Sequence, residues 1–323
     1  MAIFLLPINI FSPRLYMEIS FVRWDDAHTD LRFIRRKVFI DEQQVPESLE
    51  WDEDDKIAVH LLGKEKGRPV ACARLTSDGK LGRLAVLKEY RKHGWGSKLI
   101  RLAERFLHSK KINKIYLHSQ ANSYYFYFQH GFRPTKEMIW DANIPHVRMQ
   151  KIIGRSNPNS NTFLMGLDGE SYYSDQSAAC AVWFQIASSQ SRREIDIEIK
   201  DLSHPVFNNA ACLENLTTFI RQSQRTRIRV LLHNEIPGLS EHPLMLAQQR
   251  LSSRFMVRRI QDSRFSEAPM NYLVFDYKGI IRFDYKSTYC NFDNGVSVKR
   301  QKLKFDEEWD RSKQLIEGRK LHI

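Results

Sequence analysis

The chain has 323 residues, 50 of them Lys or Arg and 38 Asp or Glu, for a formal net charge of +12. That length exceeds what one hydrophobic core ordinarily supports and points to two domains, while 42% apolar and 27% charged residues exclude wholesale disorder. Cys72, Cys180, Cys212 and Cys290 form no C-x-x-C pair, which argues against a disulfide framework or cysteine zinc site and for a reducing compartment.

Met1–Ile10 is apolar but has no basic start and no small-residue cleavage site, so residues 1–17 read as an N-terminal extension ahead of Met17. No apolar run approaches the roughly 18 residues that span a bilayer. A cytoplasmic chain with no membrane partner is expected. The basic excess sits mostly in the first half: residues 1–155 carry 27 basic and 18 acidic side chains. Such a balance favours anionic ligands, phosphate foremost, or nucleic acid.

Asp25 and Asp26 are candidate caps for a helix with Leu31, Ile34 and Val38 at helical spacing, ended by Pro46. The acidic run Glu50–Asp55 follows, read as a solvated loop or as a funnel for a cationic acceptor. Strands are predicted over 56–62 and 69–76, joined through a hairpin loop at Gly63–Gly67, and over Gly82–Leu87. A basic turn, Lys88–Gly96, then leads into a strongly amphipathic helix with Trp95, Leu99, Leu102 and Phe106 on one face. A strand over Lys114–Ser119, an aromatic helix near Ser123–Gln129 stopped by Gly131, and strands over 132–139 and 146–152 complete this half. Mixed strands with intervening helices read as an α/β (α+β) layer fold.

Residues 154–174 are rich in turn formers and read as a linker between a domain over 18–153 and another over 175–323. The second half predicts helix 175–189, strand 194–200, helix 209–224, strand 227–232, helix 241–254, strand 256–260, hairpin 271–284 and helix 305–317, an α/β sandwich. Arg221, Arg225, Arg227, Arg229, Arg254, Arg258 and Arg259 read as a solvated surface or as a site for nucleic acid. His204, His233 and His242 have no metal-ligand spacing, so no metal is expected.

A strand, a glycine-containing basic turn and a helix make an anion-binding arrangement, because glycine lets the backbone approach a ligand and free amides of the first helical turn point at it. Arg91-Lys92-His93-Gly94-Trp95-Gly96 resembles the R/Q-x-x-G-x-G/A motif of GNAT-type N-acetyltransferases. Tyr125–Phe132 is similar to the F-Y-x-x-x-G-F element that follows in that superfamily. Arg36–Pro46, Gly82–Leu87 and His146–Met149 resemble the small ElaA-like branch, and the likeness covers about residues 18–152. It implies a GNAT-type mixed sheet flanked by helices and acetyl-CoA as co-substrate. The pyrophosphate would lie on the amides of Arg91, Lys92, His93, Gly94, Trp95, Gly96 and Ser97, and pantetheine would run along Leu84, Ala85 and Val86 where that strand splays from Ile115–Ser119.

The same resemblance implies transfer of an acetyl group to a primary amine on a small molecule or protein. The Val86 N–H would hold the oxyanion and Tyr127 would protonate the departing thiolate. His118 is the candidate base, and Glu42, Asp52 and Asp54 are candidates for the acceptor side. The aromatic cluster Tyr124–Phe128 otherwise reads as a buried helix face. The alternative is an acetyl-CoA-sensing or nucleic-acid-binding protein without turnover. The second half faintly resembles a phospholipase D-like lobe, but the H-x-K-x-x-x-x-D pattern falls on Asn271, Leu273 and Lys278. That half would therefore lack the family's chemistry.

Overall fold

The computed structural model describes residues 17–141, 144–153, 163–167, 171–251, 253–260, 271–292 and 295–315. Residues 1–16, most of the linker-like stretch and the last eight residues lie outside that description. Two compact units emerge: residues 17–118, 130–141 and 148–153 form the first, and residues 119–129, 144–147 and 163–315 the second.

The first unit begins with β1 (Met17–Val22), α1 (Trp24–Arg35) and a π-helical segment, Arg36–Glu42. Asp25 and Asp26 lie inside the first turn of α1 and do not cap it, since Arg23 occupies the cap position. There they still complement the helix dipole. Two short helices follow, α2 (Glu47–Glu50) and α3 (Asp54–Ile57), then β2 (Val59–Glu65), β3 (Arg68–Leu75) and β4 (Leu81–Val86). The hairpin turn is tighter than the composition implies. Gly63 to Glu65 belong to β2, and Lys66 and Gly67 make the turn with φ of 49° and 78°.

β1 to β4 form an antiparallel sheet in sequence order. Leu31, Ile34 and Val38 pack on Leu62, Cys72 and Ala85, so α1 covers one face. The helix α4 (Trp95–Ser109) covers the other, burying Trp95, Leu99, Ile100, Leu102, Ala103 and Leu107. Here Gly63 has a packing role, because a Cβ at that position would lie 2.8 Å from the Trp95 ring. After α4 come β5 (Lys114–Gln120), α5 (Ala121–Gln129), β6 (Arg133–Asp141) and β7 (Ile144–Ile152), and the three strands pair in the order β5-β7-β6.

The remaining elements are β8 (Ser171–Ser174), α6 (Ala179–Gln190), β9 (Glu194–Ile199), α7 (Pro205–Asn208), α8 (Ala210–Arg221), β10 (Arg227–Leu232), α9 (Pro243–Arg250), β11 (Phe255–Arg259), β12 (Asn271–Phe275), β13 (Gly279–Phe283), β14 (Thr288–Asn291), α10 (Val296–Arg311) and β15 (Lys313–Gln314). They build an eight-stranded sheet ordered β15-β11-β10-β9-β12-β13-β14-β8, parallel across β11, β10 and β9 and antiparallel elsewhere. Ser171–Ser174, inside the turn-rich segment, is a strand because Tyr172 joins Phe163, Trp183 and Phe292 in an aromatic cluster. α10 starts at Val296, nine residues before the predicted helix, and α5 packs on α6 and α8 within this second unit.

The central strand β9 is buried along its whole length. Ile195, Ile197 and Ile199 serve one face, and Glu194, Asp196 and Glu198 face the side on which α10 lies. Lys302 of α10 reaches Asp196 at 2.8 Å and Glu194 at 3.3 Å, and Arg229 of β10 makes a two-pronged contact with Asp196 at 2.7 and 2.9 Å. Buried carboxylates persist only when charges and hydrogen bonds compensate their lost hydration, and these cations supply both.

Candidate active site

β4 carries a bulge. Cys72 pairs with Ala85 and Arg74 with Gly82, so Ala73 opposes both Arg83 and Leu84. Arg83 takes the left-handed conformation, φ 50°. Its guanidinium holds it there by donating to the carbonyls of Leu49 and Glu50 and pairing with Asp52 at 3.2 Å. Past the bulge, Ala85 is buried against α1 while Leu84 and Val86 are half-buried on the opposite face.

β4 is the edge strand of its sheet. It touches β5 through one parallel bridge, Lys80 to Tyr116, beside a Tyr116 N–H donated to the Gly79 carbonyl at 3.0 Å. Beyond that bridge β4 and β5 belong to different sheets. The strands part at Leu84–Val86, which leaves that edge of β4 without a strand partner among the described residues.

At the end of this cleft lies the basic turn. Lys92 and Gly94 are left-handed, φ 65° and 90°, and Gly94 is the N-cap of α4. The first helical bond runs from Lys98 N–H to the Gly94 carbonyl at 3.0 Å, so the amides of Trp95, Gly96 and Ser97 precede any intrahelical acceptor. A Cβ on Gly94 would meet nothing within 4 Å, so the space beside the turn is open at that position. Free amides at the positive end of a fifteen-residue helix attract an anion.

The side chains around the turn are mostly engaged. Arg91 donates to both oxygens of Glu42, at 2.7 and 2.5 Å, and through Nε to the Val86 carbonyl at 3.0 Å. Those hydrogen bonds hold the Glu42 carboxyl below the usual range and raise the guanidinium of Arg91. Glu42 therefore belongs to the turn. Ser97 Oγ lies 2.8 Å from His130 Nε2. Trp95 can contribute only its amide, since its ring is buried against Gly63. Lys92 and His93 are exposed.

The acidic run is a folded ion network. Arg35, 1% exposed, meets Glu50 at 2.6 Å and Asp55 at 2.7 Å; Arg74 meets Asp55 at 2.8 Å and also pairs with Asp52 and, at 3.9 Å, Asp54. Asp52 and Asp54 stay partly exposed, but their charge faces arginine. Nothing in the composition separated this network from a solvated loop. The available signal was three arginines, at 35, 74 and 83, placed on predicted buried elements.

His118 is half-buried on β5, its ring 6.2 Å from that of Tyr116. Tyr127 lies in α5, part of the second unit, where burial pushes its hydroxyl up to about 12. Tyr124 of the same helix is fully buried and shares a 3.2 Å hydrogen bond with Ser189.

Residues 25–153 match the family model described as an acetyltransferase (GNAT) domain. Escherichia coli ElaA is 30% identical over 147 residues, 40% of this chain and 96% of ElaA. The chain belongs to the GNAT acetyltransferase family. Bacillus subtilis YjcF, an uncharacterized N-acetyltransferase, is 32% identical over 42% of this chain and 99% of its own length. The crystal structure of E. coli ElaA, 26% identical, aligns over 42% of this chain and 99% of that one with a TM-score of 0.38.

Beyond the GNAT domain, residues 175–321 match a domain of unknown function, DUF7931. Among its arginines, Arg229 is buried and pairs with Asp196 and Asp306; Arg227, half exposed, pairs with Glu194, Arg254 donates to the Ile220 and Ser223 carbonyls, Arg258 to that of Trp309, and Arg259 lies 3.4 Å from Glu235. Arg221 and Arg225 are exposed. Asn271 accepts the Lys200 N–H at 2.8 Å, Leu273 is buried and Lys278 sits at a hairpin turn, so these three positions hold no nucleophile. Among the described residues no helix is long and apolar enough to cross a membrane.

Proposed function

We propose that the GNAT domain transfers an acetyl group from acetyl-CoA to a primary amine by direct attack through a tetrahedral intermediate. The observation that carries this reading is the parting of β4 from β5 beyond the Lys80–Tyr116 bridge, continuous with the free amides after Gly94. The cleft suits an extended pantetheine arm, and the turn suits a pyrophosphate. Leu84, Ala85, Val86 and Arg91 through Ser97 would hold the co-substrate, and the neutralised Arg91 would act by fixing the turn.

In the proposed reaction the amine nitrogen bonds to the thioester carbon and the carbonyl π pair moves to oxygen, where the Val86 N–H would stabilise it. Collapse breaks the C–S bond. The thiolate takes the Tyr127 phenol proton and leaves as CoA, while the attacking nitrogen loses its proton to a base or water, with His118 as the side-chain candidate.

The test is release of free CoA thiol from acetyl-CoA across a panel of small primary amines and lysine peptides. Release that needs both substrates and yields the N-acetyl product is expected. A chain that binds acetyl-CoA yet acetylates none of them would contradict transfer and favour a sensing role.

A further inference from the structure

The buried acidic face of β9 is not uniform. Glu194 and Asp196 meet arginine and lysine. Glu198 meets His233 Nε2 at 2.9 Å, the Tyr272 hydroxyl, and the carboxylate of Glu308 from α10. One ligand atom from each of Glu198, His233 and Glu308 lies within 4.8 Å of the others. The side chains of His233 and Glu198 are 6% and 4% exposed.

An independent observation concerns Glu308 itself. Its Oε2 is buried and has no hydrogen-bond partner, and its carboxylate belongs to a cluster that already holds a second carboxylate and an imidazole. Leaving such an oxygen dry and unpaired is costly, and setting it near a second carboxylate adds repulsion. The fold places the cluster well for a ligand. β9 and β10 are neighbouring parallel strands, Glu198 is next to last in β9 and His233 directly follows β10. Carboxyl ends of parallel strands beside a reversal of strand order are where open α/β sheets bind ligands, and here β12 flanks β9 on the other side, antiparallel.

We propose that Glu198, His233 and Glu308 form a site for a first-row divalent cation in the second unit. One imidazole nitrogen and two carboxylates suit Zn²⁺ or Mn²⁺, and three protein ligands leave a coordination position open for water or an anion. Tyr272, hydrogen-bonded to Glu198, orients that carboxylate as an outer partner. The cation would satisfy the orphaned Glu308 oxygen and remove the repulsion between the two carboxylates. It would also tie α10 to the sheet beyond the Lys302 contacts.

The test uses the full chain, stripped with chelator, in calorimetric titrations with ZnCl2 and MnCl2 and a Co²⁺ absorption spectrum. One ion per chain is expected, with a Co²⁺ spectrum free of thiolate charge transfer, since the described cysteines are buried elsewhere. Glu308→Gln and His233→Gln should each weaken binding at least tenfold and abolish the rise in Tm on adding metal. Two variants keep the outcome readable if one fails to fold. Stoichiometric binding unchanged in both, or thiolate ligation, would place the ion elsewhere and overturn the site. No binding by the native chain, with Glu308→Gln more stable than native, would overturn it in favour of two carboxyls sharing a proton.

Discussion

Tyr127 is the residue on which the proposed chemistry turns most sharply. Burial raises its phenol to about 12, which keeps the proton on but makes it a weaker acid than a free tyrosine. The role therefore depends on the hydroxyl lying within hydrogen-bond reach of the departing sulfur. Tyr127→Phe should lower kcat by about 10²–10⁴ while leaving acetyl-CoA affinity intact; unchanged turnover removes the role. Asp52 poses a different question, because its carboxylate pairs with Arg74 and Arg83. Asp52→Asn is expected to lower stability by about 1 kcal/mol, the upper end for a partly exposed pair, and to leave the acceptor KM within twofold. A raised KM without loss of Tm would return Asp52 to the acceptor side.

At the scale of elements, α4 and its fit to the sheet position the turn. Gly63 leaves room for the Trp95 ring, and a methyl there would approach it to 2.8 Å, too close for a rigid indole to absorb. Gly63→Ala should therefore destabilise the protein by about 1–3 kcal/mol in urea melts; a neutral result would mean that α4 is free to shift. The helix itself was legible in the sequence, as were the strands on either side, because a stripe at steps of four, three and four has only one good solution. The bulge in β4 was not. It depends on pairing with β3 and on Arg83 reaching carbonyls more than 30 residues upstream, and no local pattern encodes either. The start of α10 was missed for a related reason. Its buried face is Val298, Lys302, Phe305 and Trp309, a regular stripe hidden by a lysine whose burial depends on Asp196.

For the molecule as a whole, buried charge shapes the response to acid. Burial alone would raise the Asp55 carboxyl, but hydrogen bonds from Arg35 and Arg74 outweigh it and hold the group below its ordinary 3.8. Its stabilising contribution is full above about pH 4 and is lost as pH falls through the folded value. Burial lowers His60 below 6.5, so the neutral ring favours the fold and that support fades as pH drops under 6.5. Glu50, raised above 4.5 by burial, opposes these losses as pH falls through its folded value toward 4.5. A Tm profile should therefore fall in two stages below pH 6.5, and Asp55→Asn should be less stable but flatter below pH 4. An equally steep fall in the variant would contradict the network's role. The family motif is read from local residues, whereas the grouping of α5 with α6 and α8 arises only from three-dimensional packing.

The most direct test of the central claim is calorimetric binding of acetyl-CoA to the native chain and to Gly94→Asp. The backbone at Gly94 is left-handed, a conformation aspartate tolerates better than most residues, and its Cβ would enter open space. The variant should thus fold while setting a carboxylate where the pyrophosphate would lie. Micromolar binding by the native chain, lost in a folded variant, is the result this account predicts. Absence of binding by a folded native chain, or equal binding by both, would contradict it.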